Sequence, residues 1–140
     1  METFFASCPR GLETLLADDL LAAGGRDLKQ ISGGVHFLAD WPACYRANLH
    51  SRIATRILCR VAHGRYAKEE DIYQLALETA WPKWFLPEQT IRVDVNAVKS
   101  PLKSIEFVTL RIKDAVCDRF RRDFGRRPSV DTRQPDVRIQ

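Results

Sequence analysis

The stretch "WPACYRANLHSRIATRILCRVA" (41–62) decides the fold, because it can be read as one long helix or as a helix followed by a strand. After Pro42 it contains no glycine or proline, so nothing obvious breaks a helix. Its composition changes midway, however. Trp41, Cys44, Tyr45 and Leu49 recur at helical spacing, whereas Ile53, Thr55, Ile57, Cys59 and Val61 alternate with Arg56, Leu58 and Arg60. Most of the second set is β-branched, which suits a pleated, half-buried strand. The reading is a helix, a break near Ser51, and a strand over 53–61.

Working outward, the preceding residues supply the rest of a unit. Thr3 to Ala6 is a short apolar strand. A helix is expected from Pro9, carrying Leu12, Leu15, Leu16, Leu20 and Ala23 and stopped by Gly24-Gly25. Two extended runs, Asp27 to Ser32 and Val35 to Ala39, meet at Gly33-Gly34, a pair suited to a tight hairpin. The order β-α-β-β-α-β is that of a split βαβ, ferredoxin-like arrangement.

Gly64 to Lys68 marks a boundary, giving expected domains of 1–66 and 67–140. The second begins with a helix from Glu69 to Thr79 and an aromatic, proline-rich connector, "WPKWFLPEQ" (81–89). A strand follows with Ile91, Val93, Val95 and Ala97 on one face. Then "KSPLKS" (99–104) leads into a helix from Ser104 to Phe124, with Ser104 as N-cap and Gly125 as stop. Its expected buried stripe is Ile105, Val108, Ile112, Ala115, Val116 and Phe120. "PDVRIQ" (135–140) begins another strand. Two strands are too few for a stable sheet, so the chain is expected to be the front piece of a longer protein.

Chemistry-bearing motifs are scarce. Cys8, Cys44, Cys59 and Cys117 are widely spaced, form no CxxC pair, and suit apolar positions as reduced thiols. His36, His50 and His63 are equally scattered, so neither a metal site nor a Cys/His catalytic pair is expected. The glycines form no GxGxxG or P-loop, no serine sits in a G-x-S-x-G elbow, and no two prolines are adjacent. The last point excludes the Asn/Asp-Pro-Pro-aromatic element that holds an exocyclic nitrogen for methyl transfer. Asp18-Asp19 and Glu69-Glu70 read as solvated helix faces. No catalytic residue and no cofactor site are expected in this chain. No apolar run is long enough to cross a bilayer and no signal-peptide layout opens the chain, so a soluble, cytoplasmic protein is expected.

The charge is uneven. Residues 1–98 hold 11 Lys/Arg against 12 Asp/Glu, a balance of −1, and residues 99–140 hold 11 against 6, a balance of +5. Such asymmetry points to a polyanionic partner. Lys99 and Lys103 flank Pro101 in a loop feeding a helix amino terminus, where free N–H groups and the helix dipole favour an anion. Ser104, Arg111, Lys113, Arg119, Arg121 and Arg122 continue along that helix, and Arg126, Arg127 and Arg133 through the loop beyond it. Asp114, Asp118 and Asp123 interleave with them, so ordinary intrahelical pairing competes with phosphate binding for the same cations. Trp81, Trp84 and Phe85 are candidates for base stacking, although their proline-rich setting favours packing between the two units.

These residues carry a resemblance. "FFASCPRGLETLLADDL" (4–20), "GGVHF" (33–37), "YRANLHSRIATRILCRV" (45–61), "SPLKS" (100–104), "RIKDAVCDRF" (111–120) and "RPSVDTRQPDVRI" (127–139) together resemble the amino-terminal part of bacterial THUMP-domain methyltransferases. The nearest members are those that methylate the exocyclic amino group (N2) of a guanine in 23S, large-subunit ribosomal RNA. The resemblance implies an α+β chain: a ferredoxin-like domain packed against a truncated α/β THUMP domain that binds RNA. An S-adenosylmethionine-dependent, Rossmann-like domain of the same protein would follow. It also supports Lys99, Lys103 and Arg111 as RNA contacts. The competing functional readings are a ferredoxin-like regulatory domain that binds a small metabolite beside Gly33-Gly34, and a small hydrolase on the same fold.

Overall fold

At Ser51 the backbone leaves the helical region (φ −69, ψ 130), and its Oγ accepts hydrogen bonds from the N–H groups of Ile53 (3.3 Å) and Ala54 (3.1 Å). That side chain gives the backbone an alternative to the next helical turn. The computed structural model, which describes residues 1–140, therefore has a helix α2 at Trp41–His50 and a strand β4 at Arg56–Cys59. Asp40 starts the helix by accepting from the Ala43 N–H at 2.8 Å. The strand is shorter than the expected 53–61 because the Ser51 turn occupies its first residues. Thr55 and Arg60 still donate N–H bonds to Ser7 and Thr3 beyond its ends.

The chain divides into two compact units, Met1–Val61 and Ala62–Gln140. In the first, β1 (Glu2–Ser7), α1 (Glu13–Ala23), β2 (Arg26–Ile31) and β3 (Gly34–Ala39) precede α2 and β4. The sheet order is β2-β3-β1-β4, with every pair antiparallel. This is the split βαβ, ferredoxin-like arrangement. Alternate strand residues Phe4, Ala6, Val35, Phe37 and Ala39 form a core with Leu16, Leu20, Ala43 and Ala47 of the helices. Each of the fully buried large side chains, such as Phe4, Leu16, Leu20 and Phe37, contributes about 1.5–3 kcal/mol.

Helix α1 begins at Glu13 rather than at Pro9. Gly11 takes a positive φ of 96, which interrupts helical geometry. The Glu13 carboxylate then accepts from the Gly11 (2.8 Å) and Gly33 (2.9 Å) N–H groups, joining the helix start to the β2–β3 hairpin.

The second unit contains α3 (Glu69–Glu78), a single 3-10 turn (Trp81–Lys83), β5 (Ile91–Val93), α4 (Ile105–Phe124) and β6 (Val137–Ile139). Strands β5 and β6 pair in parallel, Ile91 facing Val137 and Val93 facing Ile139. Ile91 also bridges Val130. Strand β5 stops short of the expected Ala97 because its ladder with β6 covers only Ile91–Val93. The buried face of α4 is Val108, Ala115, Val116, Cys117 and Phe120. Ile105, expected in that stripe, is exposed at the first turn, and Cys117 joins it instead.

Two of the connector aromatics, Trp81 and Phe85, pack inside this unit. Trp81 is buried and donates its indole N–H to the Ala76 carbonyl at 2.7 Å, and Phe85 packs on Phe120 with ring centroids 4.9 Å apart. Trp81 and Phe85 are therefore core, not a stacking platform.

Candidate nucleic-acid interface

The loop between β5 and α4 is held by its own polar residues. Ser100 Oγ accepts from the Leu102 N–H at 3.2 Å and from the Tyr66 hydroxyl at 3.1 Å. Lys99, just before it, adopts a left-handed φ of 53. Ser104 caps α4 as the sequence indicates, accepting from the Phe107 N–H at 3.1 Å, with Glu106 in the first turn. Lys99 and Lys103 are exposed on either side of Pro101. Their ammonium groups make no ion pair.

The cations of α4 do not form one stripe. Arg111 turns toward α3, where its guanidinium lies 4.0 Å over the Tyr73 ring and pairs with Glu70 at 3.1 Å. Tyr73 in turn donates to Asp118 at 2.5 Å, and that bond holds its hydroxyl proton above the usual tyrosine range. Arg119 donates to the Leu77 (3.0 Å) and Thr79 (3.2 Å) carbonyls and to Asp123 (2.8 Å). Its guanidinium thus closes the C-terminal turn of α3, where carbonyls lack helical partners, and this places Arg119 in the fold rather than on a ligand surface.

Lys113 points to the other flank, pairs with Asp114 at 2.9 Å, and borders a surface cavity of about 290 Å³ with Arg92, Asp94 and Thr132. Arg121 and Arg122 are exposed beside Asp118 and Asp123. Asp123 is held below the usual carboxylate range, chiefly by its hydrogen bond from Arg119.

Beyond the helix, Arg126 pairs with Glu88. Arg127 lies beside Cys117, whose thiol is pushed up by burial against the opposing effect of that guanidinium. Arg133 is exposed, and its backbone N–H is taken by Asp131 at 2.9 Å. The carboxylates that interleave with α4 have therefore engaged Arg119, Arg121 and Arg122. Lys99, Lys103, Arg127 and Arg133 carry charge that no carboxylate pairs.

Neither Gly33 nor Gly34 lines a described cavity. The Gly33 N–H is bound by Glu13, its carbonyl accepts from Cys8, and the space over Gly34 is filled by the Phe5 ring. The described cavities, of about 190 Å³ beside Asp19 and Arg46 and about 290 Å³ beside Arg92, are lined by no glycine-rich turn that would cradle a nucleoside. No helix is long and apolar enough to cross a membrane. Sequence reading missed the Tyr66–Ser100 bond and the structural task of Arg119; hydroxyl-to-hydroxyl and guanidinium-to-carbonyl bonds between distant residues leave no periodic signal.

Comparison with known proteins agrees with this architecture. Residues 66–140 match the THUMP domain model and residues 3–58 match the RlmL ferredoxin-like domain model. The chain is 37% identical over 139 residues to a ribosomal RNA large subunit methyltransferase K/L of Aeromonas salmonicida (strain A449), covering 99% of this chain and 19% of that relative. It thus spans about a fifth of the relative's length.

A solved structure from Listeria monocytogenes str. 4b F2365, described as a predicted N6-adenine-specific DNA methylase, superposes with a TM-score of 0.82. It is 25% identical and covers 89% of this chain and 33% of that one. SMU.472, a putative methyltransferase complexed with SAH, superposes with a TM-score of 0.81 at 21% identity, over 96% of this chain and 34% of that one. By its match over residues 66–140 the chain belongs to the THUMP-domain family, and an RlmL-type ferredoxin-like domain stands ahead of that domain.

Proposed function

We propose that this chain is the RNA-binding portion of a ribosomal RNA methyltransferase, dividing near Tyr66 into a ferredoxin-like and a THUMP domain. It grips structured large-subunit rRNA through phosphates and presents a guanine, in 23S rRNA, for methylation at N2. The covalent step belongs to an S-adenosylmethionine-dependent domain elsewhere in the whole protein, which acts in the cytoplasm. The chain itself contributes no catalytic group.

The observation that carries this reading is the pair of unpaired lysines, Lys99 and Lys103, at the entry to a capped twenty-residue helix. Arg127 and Arg133 extend the grip, with Arg122 and Arg126 able to exchange an exposed carboxylate for a phosphate at small cost. Arg111 and Lys113 give it a weaker margin, being already paired on opposite flanks of α4. Recognition of this kind follows the shape of folded RNA more than its sequence.

The test is the double substitution Lys99→Ala/Lys103→Ala in a binding titration against structured rRNA at several salt concentrations. Affinity should fall, and the slope of log K against log salt should drop by about one to two units. Unchanged affinity and slope would remove the loop from the interface.

A further inference from the structure

In the first unit the strand residues that do not enter the core face the other side of the sheet, away from α1 and α2. On the two central strands, β1 and β3, Phe5 and His36 stand directly opposite each other, with ring centroids 4.8 Å apart. Both are half-buried and so keep part of their rings accessible. The Phe5 ring is pressed down over Gly34: a Cβ built there would lie 2.4 Å from Phe5 Cζ. The absence of a side chain at 34 thus lets the ring settle on the sheet instead of standing up from it.

The rim of this face is basic. Lys29 pairs in register with His36 and Arg26 with Leu38, and Arg56 pairs with Ser7. Arg60 follows at the end of β4, its N–H bound to the Thr3 carbonyl at 2.9 Å. All four cations are exposed and none forms an ion pair. No carboxylate occupies a registered position on this face. His36 reports the same field: burial, then the Arg60 and Lys29 charges, hold its proton affinity below the usual histidine value. The sequence had displayed Arg56, Leu58 and Arg60 as the outward half of an alternation without giving them a task.

We propose that this sheet face is a second RNA-binding surface, for single-stranded RNA, in which bases stack on Phe5 and His36 while Arg26, Lys29, Arg56 and Arg60 hold the flanking phosphates. Every base has a π face, so such a platform tolerates sequence, and the cations track the backbone. Aromatic side chains on the central strands of a four-stranded sheet are a recurrent way to hold splayed-out bases. The proposal takes its kind of nucleic acid from the reading of the loop at Lys99, but it uses none of that loop's residues.

The test uses the 140-residue chain and a fluorescein-labelled ten-nucleotide oligouridine. Phe5→Leu keeps an apolar side chain over Gly34 and removes the aromatic face; it should weaken binding by roughly ten-fold or more. Arg56→Ala/Arg60→Ala should lower the salt slope by about 1.4, two single-strand phosphate contacts. Phe5→Trp should bind, and the emission added by the new indole should be quenched by the oligonucleotide and not by an RNA duplex. That quenching reads stacking directly, whatever the stability of the leucine variant. Parental affinity in Phe5→Leu, or unchanged indole emission at saturating oligouridine, would overturn the proposal. Loss of structured-RNA binding in Lys99→Ala/Lys103→Ala with the Phe5 effects intact would leave it standing, and the reverse pattern would leave only the loop.

Discussion

Ser51 Oγ donates a hydrogen bond to Asp19 Oδ2 at 2.9 Å while accepting the N–H groups of Ile53 and Ala54, so one hydroxyl ends α2 and ties it to α1. Replacing it by alanine removes the cap of the turn and leaves the Asp19 carboxylate without that donor. Ser51→Ala should cost about 1–2 kcal/mol, read as a lower urea midpoint of the first unit at unchanged slope. A midpoint equal to the parent's would show that the backbone makes this turn unaided.

The turn also shows what the sequence reveals and what it hides. The change from helical spacing to alternation between Leu49 and Ile53 predicts the break, because periodicity reports which side of an element is buried. It gives four strands and two helices of the first unit in the right order. Periodicity does not report which hydroxyl or carboxylate will intervene, so α1 and β4 start about three to four residues later than the spacing predicts: Glu13 and Ser51 act through side-chain bonds to backbone. The candidate interface was legible in part for the same reason. Lys99 and Lys103 stand out by composition, whereas only the packing of α3 on α4 reveals that Arg119 is committed to carbonyls and Arg111 to Tyr73.

Arg119 joins α4 to the last turn of α3 with a side chain only 16% exposed, so its removal strands two carbonyls. Arg119→Ala should destabilise the second unit by about 1–3 kcal/mol. Arg119→Lys should recover less than half of that, since Nη1 serves the Leu77 and Thr79 carbonyls while Nε serves Asp123, a spread that one ammonium nitrogen cannot span. RNA affinity of the folded variants should stay within about two-fold of the parent, against the large loss expected if the guanidinium met phosphate.

Glu13 predicts an acid response. Hydrogen bonds from the Gly33 and Gly11 N–H groups hold its carboxyl below the ordinary value of 4.5. A carboxyl with a depressed folded-state pKa stabilises the fold above its unfolded value and loses that contribution as pH falls through the folded one. The thermal stability of the first unit should therefore decline below about pH 4.5, and Glu13→Gln should flatten this decline while lowering the melting temperature at pH 7. Parallel pH curves for the two proteins would exclude Glu13 from the acid response.

At Gly34 the space for a side chain is taken twice, by the Ala6 carbonyl at 2.4 Å and by the Phe5 ring at 2.4 Å from an added Cβ. The carbonyl belongs to the β1–β3 ladder and has no freedom to move without breaking it. Gly34→Ala should then destabilise the first unit by about 3 kcal/mol, the upper range for overpacking, with the melting transition of that unit shifted and the second unit's retained. A variant as stable as the parent would mean that β1 and β3 separate more readily than their register implies.

The last prediction separates shape from charge at the Lys99 loop. The Tyr66 hydroxyl donates to Ser100 Oγ at 3.1 Å, and Ser100 also receives the Leu102 N–H, so the bond reaches the middle of the lysine pair. Lys99 is held at a φ of 53, a conformation that costs an L-residue about 1–2 kcal/mol and persists only where neighbours hold it. Tyr66→Phe deletes one oxygen and no charge. If the loop is preorganised for phosphate, ordering it must now be done on binding, and RNA affinity should fall by about two- to five-fold. The number of phosphates neutralised is unchanged, so the slope of log K against log salt should be that of the parent. A loss of slope would mean that the phenol sets the number of contacts rather than the loop's order, and parental affinity would mean that the lysines need no fixed backbone to grip.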